Sequence, residues 1–247
     1  RIYKKIGKDN FEIIQNINGL GIRPHRVHYD QKQNVFFLLS SNDQTFFVLK
    51  EKNGILEIIY QRKIKEINNV YSRSFTINND KIYFVTDNSI VVATYKDFNF
   101  SILSSIPIYG NSTFDSISKN GALNGNYRGS NDLFFLDSGK IILTCSSLLF
   151  EFNKFIPKQY NKAYIANSIE DFANKNNIKD ISNFFIGMPY YVSKFDNHIW
   201  IPENTNRSRI CKYKLINGDI DFSTQEVVFD FHDPTNVDLE RKNIYPT

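Results

Sequence analysis

Gln31-Lys32-Gln33-Asn34-Val35-Phe36-Phe37-Leu38 is a polar turn that opens directly into an apolar run, and the chain repeats this pattern three more times. Asn78-Asn79-Asp80-Lys81 leads into Ile82-Tyr83-Phe84-Val85, Asp137-Ser138-Gly139-Lys140 into Ile141-Ile142-Leu143, and Asp196-Asn197-His198 into Ile199-Trp200-Ile201. Asn, Asp and Gly accept the backbone angles of a tight turn, and β-branched and aromatic residues fit a pleated strand. Turn chemistry and strand chemistry therefore agree at every copy. The apolar runs at 35, 82, 141 and 199 are spaced by 47, 59 and 58 residues. That spacing is close to the ~40–50 residues of a four-stranded repeat unit carrying insertions.

Outward from each anchor the order is constant. A short polar loop follows the second strand (Ser40 to Gln44, Thr86 to Ser89, Cys145 to Ser147, Pro202 to Arg207), then a third strand such as Thr45-Phe46-Phe47-Val48-Leu49 or Ile90-Val91-Val92-Ala93. A more polar fourth strand comes next, at Leu56 to Tyr60, Phe100 to Leu103, near Tyr160 to Ile165, and Gln225 to Phe231. A single four-stranded sheet cannot bury both faces and must stack on its neighbours. The reading is an all-β chain, a β-propeller of four-stranded antiparallel blades. A sandwich or barrel of hairpins explains the strands but not the repeat. Ile2-Tyr3-Lys4 and Phe11-Glu12-Ile13-Ile14 read as the last two strands of a further unit, for which Asn243-Ile244-Tyr245 would supply an inner strand. The expectation is about five blades in one domain spanning 1–247, with a composite closing blade. Six or more in an untruncated chain is the alternative, since the chain starts at Arg1 rather than Met and an N-terminus that is processed or truncated is expected.

Two segments interrupt the period. Gly110 to Ser130, rich in Gly, Ser and Asn, is expected to be a loop insertion. Asn167 to Ile186 is expected to hold a short helix that packs on the ring, capped by Ser168 with Asp171 three residues on, and with Ile169, Phe172 and Ala173 as its apolar stripe.

Composition fits this reading. Hydrophobic residues make up 41% and aromatics 15%, with 22 Phe and 14 Tyr. The abundance of Asn, Lys and Ile is read as the codon bias of an AT-rich genome. Lys and Arg total 30 against 26 Asp and Glu, without a run of like charge, so no nucleic-acid partner is expected. Apolar runs are too short for a transmembrane segment, since spans need ~18 residues. Cys145 and Cys211 have no metal-ligand or redox spacing and read as buried thiols.

In a ring of blades, the loops entering first strands and those joining second to third strands share the face around the central channel. That face gathers His25, Arg26, Arg73, Asn131, Asp132, Tyr190 and Tyr191, and the linking loops add Asp43, Asp87, Glu203, Asn204 and Arg207. The arginines suit a carboxylate or phosphate, and the tyrosines suit a sugar ring. No cofactor motif is present. Ca²⁺ is the one ion the oxygen ligands Asp132, Glu203 and Asn204 would take. No nucleophile-elbow, P-loop or metalloprotease pattern occurs.

Pro24-His25-Arg26-Val27-His28-Tyr29-Asp30 ahead of a turn and an apolar strand resembles bacterial NHL-like and lactonase-like propellers. The resemblance runs through nearly the whole chain and is generic. It implies either a binding module or a hydrolase. Lactonase-like enzymes carry a metal-binding acidic residue at the start of the first blade, where this chain has His25 and Arg26, and the WD and kelch signatures are missing. The first expectation is a non-catalytic binding propeller, bacterial and extracytoplasmic, taking a glycan or protein partner on the channel-mouth face. The alternative is a metal-dependent sugar or lactone hydrolase or lyase, with His25 as general base and Arg73 or a cation stabilising the oxyanion.

Overall fold

Asn53-Gly54, Asn79-Asp80, Asp196-Asn197 and Asn217-Gly218 each place two consecutive residues at positive φ, between 48° and 80°. Each pair joins two antiparallel strands with no residue to spare. Such two-residue turns match the natural twist of the strands they connect, and Asn and Asp tolerate the left-handed region better than other side chains. Asn53, Asn79, Asn197 and Asn217, read with the other asparagines as codon bias, thus sit where the turns require them.

The computed structural model describes residues 2–8, 10–20, 24–41, 43–65, 72–96, 99–111, 125–151, 154–156, 158–204 and 209–230. Strands β1 (Ile2–Lys5) and β2 (Phe11–Gln15) form a hairpin sheet. Blade I contains β3 (Pro24–Asp30), β4 (Val35–Ser40), β5 (Thr45–Lys52) and β6 (Ile55–Lys63), paired in sequence order. Blade II repeats this with β7 (Ser72–Asn78), β8 (Lys81–Thr86), β9 (Ser89–Lys96) and β10 (Asn99–Pro107).

Blade III runs β11 (Gly125–Phe135), β12 (Ile141–Glu151), β14 (Lys158–Ala166) and the two-residue β15 (Lys179–Asp180), with β13 (Lys154–Ile156) beside β12. Blade IV has a split inner strand, β16 (Met188–Pro189) and β17 (Ser193–Phe195), followed by β18 (His198–Asn204), β19 (Arg209–Ile216) and β20 (Asp219–Asp230). The four-stranded antiparallel sheets stand in a ring, a β-propeller with four blades described and the β1–β2 hairpin beside them. The closing strand expected at Asn243–Tyr245 lies outside the described residues.

Blade III departs from the sequence reading. The polar run Cys145 to Ser147 is not a loop but the middle of β12, and the segment near Tyr160 to Ile165 is the third strand, not the fourth. Within 110–130, residues 125–130 are strand and 112–124 lie outside the described residues. Ser168 and Asp171 do exchange hydrogen bonds (2.9 and 3.3 Å). The turn they cap, Glu170–Ala173, is 3-10 rather than α and ends at extended Asn174. This segment follows the third strand, carries the short β15 and runs on to the inner strand of blade IV. Its Ile169 and fully buried Phe172 join the core between blades II and III.

Three cores hold neighbouring blades together. Blades I and II share Phe37, Phe46, Phe75 and Phe84, with the Phe46 ring edge-on to Phe75 and Phe84 at centroid distances of 5.9 and 5.5 Å. Blades II and III share Tyr83, Val85, Leu133 and Leu143, and blades III and IV share Ile142, Val192, Ile199 and Tyr213. Edge-to-face rings add ~0.5–1.5 kcal/mol per pair beyond burial. The outer face of blade I is covered by Ile17 and Leu20, and Gln15 bonds both backbone groups of Leu56 (2.7 and 2.9 Å).

At the turn end of blades III and IV, Asp219 accepts from Lys140 Nζ at 2.5 Å and Ser138 Oγ at 2.7 Å. The Lys140 bond holds the Asp219 carboxyl below its ordinary range. A lowered folded pKa stabilises above the unfolded value and is lost as pH falls through the folded one. Both side chains are substantially exposed, so the pair contributes only ~0.2–1 kcal/mol. Asp219→Asn is expected to lose that amount in urea denaturation at neutral pH. The difference from wild type should vanish at pH well below 3.8.

Candidate functional site

The inner strands carry one extra residue each, at the same height. In β3, Pro24 pairs with Ser40 and Arg26 with Leu39, which leaves His25 as a bulge. In β7, Ser72 pairs with Thr86 and Ser74 with Val85, around Arg73; in β11, Ser130 pairs with Cys145 and Asp132 with Thr144, around Asn131. In blade IV, Pro189 pairs with Glu203 and Ser193 with Trp200, again one residue too many. A bulge re-aims the side chains beside it. Two tiers result, His25, Arg73, Asn131 and Tyr190, then Arg26, Ser74, Asp132 and Tyr191. Seven of the residues selected from sequence occupy these tiers; Ser74 is the eighth member.

Asp132 is the hub of the second tier. Its Oδ2 lies 3.0 Å from Arg26 Nη1 and accepts the Val192 amide at 2.9 Å, and its Oδ1 accepts Ser74 Oγ at 2.5 Å. The Leu133 amide also bonds it. One carboxylate on blade III thus ties to blades I, II and IV. A carboxylate has about four lone-pair sites, and four donors fill them. Asp132 is fully buried, and burial drives its carboxyl above the usual range against the opposing pull of Arg26, Ser74 and the two amides. The Arg26 guanidinium also lies 5.5 Å from the centre of the Tyr191 ring, which meets Tyr190 edge-on at 4.7 Å. Asn131 donates to Pro189 O at 3.1 Å and accepts from Ser146 Oγ at 2.7 Å. Thr144 Oγ1 donates to Tyr190 O at 2.6 Å.

Glu203 belongs to a separate cluster inside blade IV. Its Oε1 accepts from Arg209 Nε at 2.9 Å and Cys211 Sγ at 3.3 Å, its Oε2 accepts the Gly187 amide at 2.6 Å, and Arg209 Nη2 lies 2.7 Å from Oε1 as an ion-pair contact. Asp132 and Glu203 share no partner. The Ca²⁺ arrangement expected of Asp132, Glu203 and Asn204 therefore has its two described carboxylates committed to different networks. Among the described residues no group of three His, Cys, Asp or Glu side chains is placed to hold a metal ion. The backbones of His25, Arg73 and Asn204 lie in strands, but their side chains, and all of Arg207, are outside the described residues. Asp87 is buried at the start of the β8–β9 connection, where its carbonyl accepts from Asn111. Asp43 Oδ1 is buried with no hydrogen-bond partner among the described residues.

Sequence reasoning missed a third network, between blades II and III. Asn111 Nδ2 donates to Asp87 O and Ser130 Oγ, both at 2.9 Å, and its Oδ1 accepts Arg128 Nε at 2.8 Å. Arg128 also bonds Tyr164 OH at 2.5 Å and the carbonyl of Tyr109. Asn111 opens a glycosylation sequon, yet its amide is spent inside the protein. Gly110, at φ +70°, is where this guanidinium passes, and a Cβ there would meet it.

The thiols read as buried are buried. Burial pushes Cys145 up to about 11 and Cys211, which also faces Glu203, up to about 12. The reactive form of a thiol is the thiolate. At pH ~8 the native protein is expected to leave a disulfide reagent such as DTNB unconsumed, and the unfolded chain to react with both of its cysteines.

Blades, bulged inner strands and a polar axis define a β-propeller. Among solved structures the chain is similar to a protein from Lactobacillus plantarum, with 11% identity, a TM-score of 0.54, and coverage of 83% of this chain and 55% of that one. A 6-phosphogluconolactonase-like protein from Bacteroides uniformis is also similar (12% identity, TM-score 0.47, 83% of this chain, 55% of that one). So is the Pan2 WD40 domain of Neurospora crassa (11%, 0.47, 83% and 49%). The resemblance is generic to propellers, and the chain spans about half the length of these structures. No family model matches the chain, and no curated protein matches it in sequence. No helix of the described residues is long and apolar enough to cross a membrane.

Proposed function

We propose that the protein is a non-catalytic binding propeller that takes a glycan or protein partner on the face where its inner strands begin. The observation that carries this reading is the commitment of its buried acids. Asp132 has its acceptor sites filled by Arg26, Ser74 and two amides, and Glu203 is held by Arg209 and Gly187. Acids so engaged work as fasteners between and within blades rather than as proton carriers. The same face offers contact groups instead: exposed Tyr109 and Ile186 in the connections leading into blades III and IV, and partly exposed Tyr190 and Tyr191. Aromatic side chains of this kind dominate recognition surfaces.

The test pairs a glycan array and cross-linking capture with the variants Tyr109→Ala and Ile186→Asp. Binding that the variants abolish, without loss of thermal stability, supports the reading. Turnover of a sugar lactone or glycoside that disappears in His25→Ala and needs a divalent cation would replace it with the hydrolase reading.

A further inference from the structure

At the opposite end of the ring, a cleft of about 540 Å³ opens between blades II and III. It is built from the β7–β8 turn, the β11–β12 turn and the segment after β14. Its volume lies within the ~300–1,000 Å³ of small-molecule sites. Asn78, Asn79 and Asn167 line it, and none of the three has a side-chain hydrogen bond among the described residues. An amide donates and accepts at once, as a hydroxyl does. The floor includes buried Leu136, Ile141 and Ile169, and Phe135 forms part of the wall. The Phe135 ring rests against Tyr83 at 4.9 Å between centroids, which fixes it as a platform. Among the described residues no Lys or Arg lines the cleft. Its one carboxylate, Asp137, is paired with Lys194 at 2.5 Å.

Free amides above an apolar floor, beside a fixed aromatic ring and without net charge, match a ligand that is polyhydroxylated, neutral and apolar on one face. We infer that this cleft is a binding site for a neutral saccharide of one or two rings. A phosphorylated or acidic sugar would find no cation to receive it. The site goes beyond the proposed function, because it lies on the face opposite the one assigned to the partner.

The experiment is an amide NMR titration of the labelled full chain with glucose, galactose, N-acetylglucosamine and cellobiose, each to about 20 mM, a range suited to weak millimolar binding. At least one sugar is expected to shift the side-chain amides of Asn78, Asn79 and Asn167. Asn79→Gly with Asn167→Ala should weaken that sugar ~tenfold or more, and Ile186→Asp should leave it unchanged. Asn79→Gly keeps the left-handed turn, and Asn167→Ala alone, at an exposed position, serves if the double variant melts early. Shifts confined to the mouth face, no shift with any of the four sugars, or wild-type affinity in the Asn variants would overturn the site. Loss of mouth-face binding in Ile186→Asp with these shifts intact would bear on the proposed function alone.

Discussion

Asp132→Ala is expected to destabilise the ring by ~3–5 kcal/mol, the cost of breaking a buried ion pair from one side. The carboxylate joins Arg26 of blade I, Ser74 of blade II and the Val192 amide of blade IV. Its removal orphans a largely buried guanidinium, a buried hydroxyl and a fully buried amide in one step. Urea denaturation reads the loss as a lower midpoint, and a fall in the slope as well would show that the blades no longer unfold together. Asp132→Asn is the sharper variant. It keeps the shape and part of the hydrogen bonding but cannot ionise. Because burial raises the folded pKa of Asp132, the folded state holds the proton more tightly than the unfolded state does. The stability contributed by this group is therefore complete below 3.8 and declines as pH rises through the folded value. Asp132→Asn has no such decline, so its deficit should be largest in acid and shrink toward neutrality. The opposite slope would mean that Arg26 outweighs the cost of burial.

The parts of this architecture that local chemistry decides were legible in the sequence. Turn pairs such as Asn79-Asp80 and Asp196-Asn197 select left-handed backbone by themselves, and the strands beside them announce themselves by branched and aromatic residues. The reciprocal cap of Ser168 and Asp171 was legible for the same reason. The bulges were not, because an extra residue exists only relative to a partner strand: the register shifts at Asn131 because Ser130 and Asp132 meet the adjacent residues Cys145 and Thr144. Nor was Cys145 to Ser147 recognisable as strand. Its polarity suggested a loop, and what makes it strand is that Ser146 faces Asn131 and the ladder continues on both sides to β11 and β14. The candidate site was selected by loop position, and of its members Arg26 and Asp132 are bonded to each other while Glu203 belongs to a different network. The bond also accounts for its two members differently, since the link from Arg26 to Asp132, 106 residues apart in the chain, turns two prospective ligand contacts into a fastening.

Glu203 tests the same idea inside a single blade. The equivalent second-strand position is Ser40 in blade I, Thr86 in blade II and Cys145 in blade III, so a full charge here is peculiar to blade IV. Glu203→Ala leaves Arg209, almost wholly buried, without its carboxylate. A loss of ~3–5 kcal/mol is expected. It also removes a group that faces Cys211 and helps raise its thiol, so the destabilised blade should expose Cys211 to DTNB while Cys145 stays protected. Replacing both partners separates need for the charges from need for the volume. A desolvated ion pair is often no better than an apolar pair of the same size, and Glu203→Leu combined with Arg209→Met should recover most of the stability that either change loses alone. Besides the weak donor of the Cys211 thiol, the double variant leaves the Gly187 amide, which gives its hydrogen to Glu203 Oε2 at 2.6 Å, without its acceptor. That sets the remaining deficit near the ~1–3 kcal/mol of a single buried unpaired donor. Full recovery would show that water reaches that amide; no recovery would show that blade IV needs the carboxylate itself to bring the chain from Gly187 against β18.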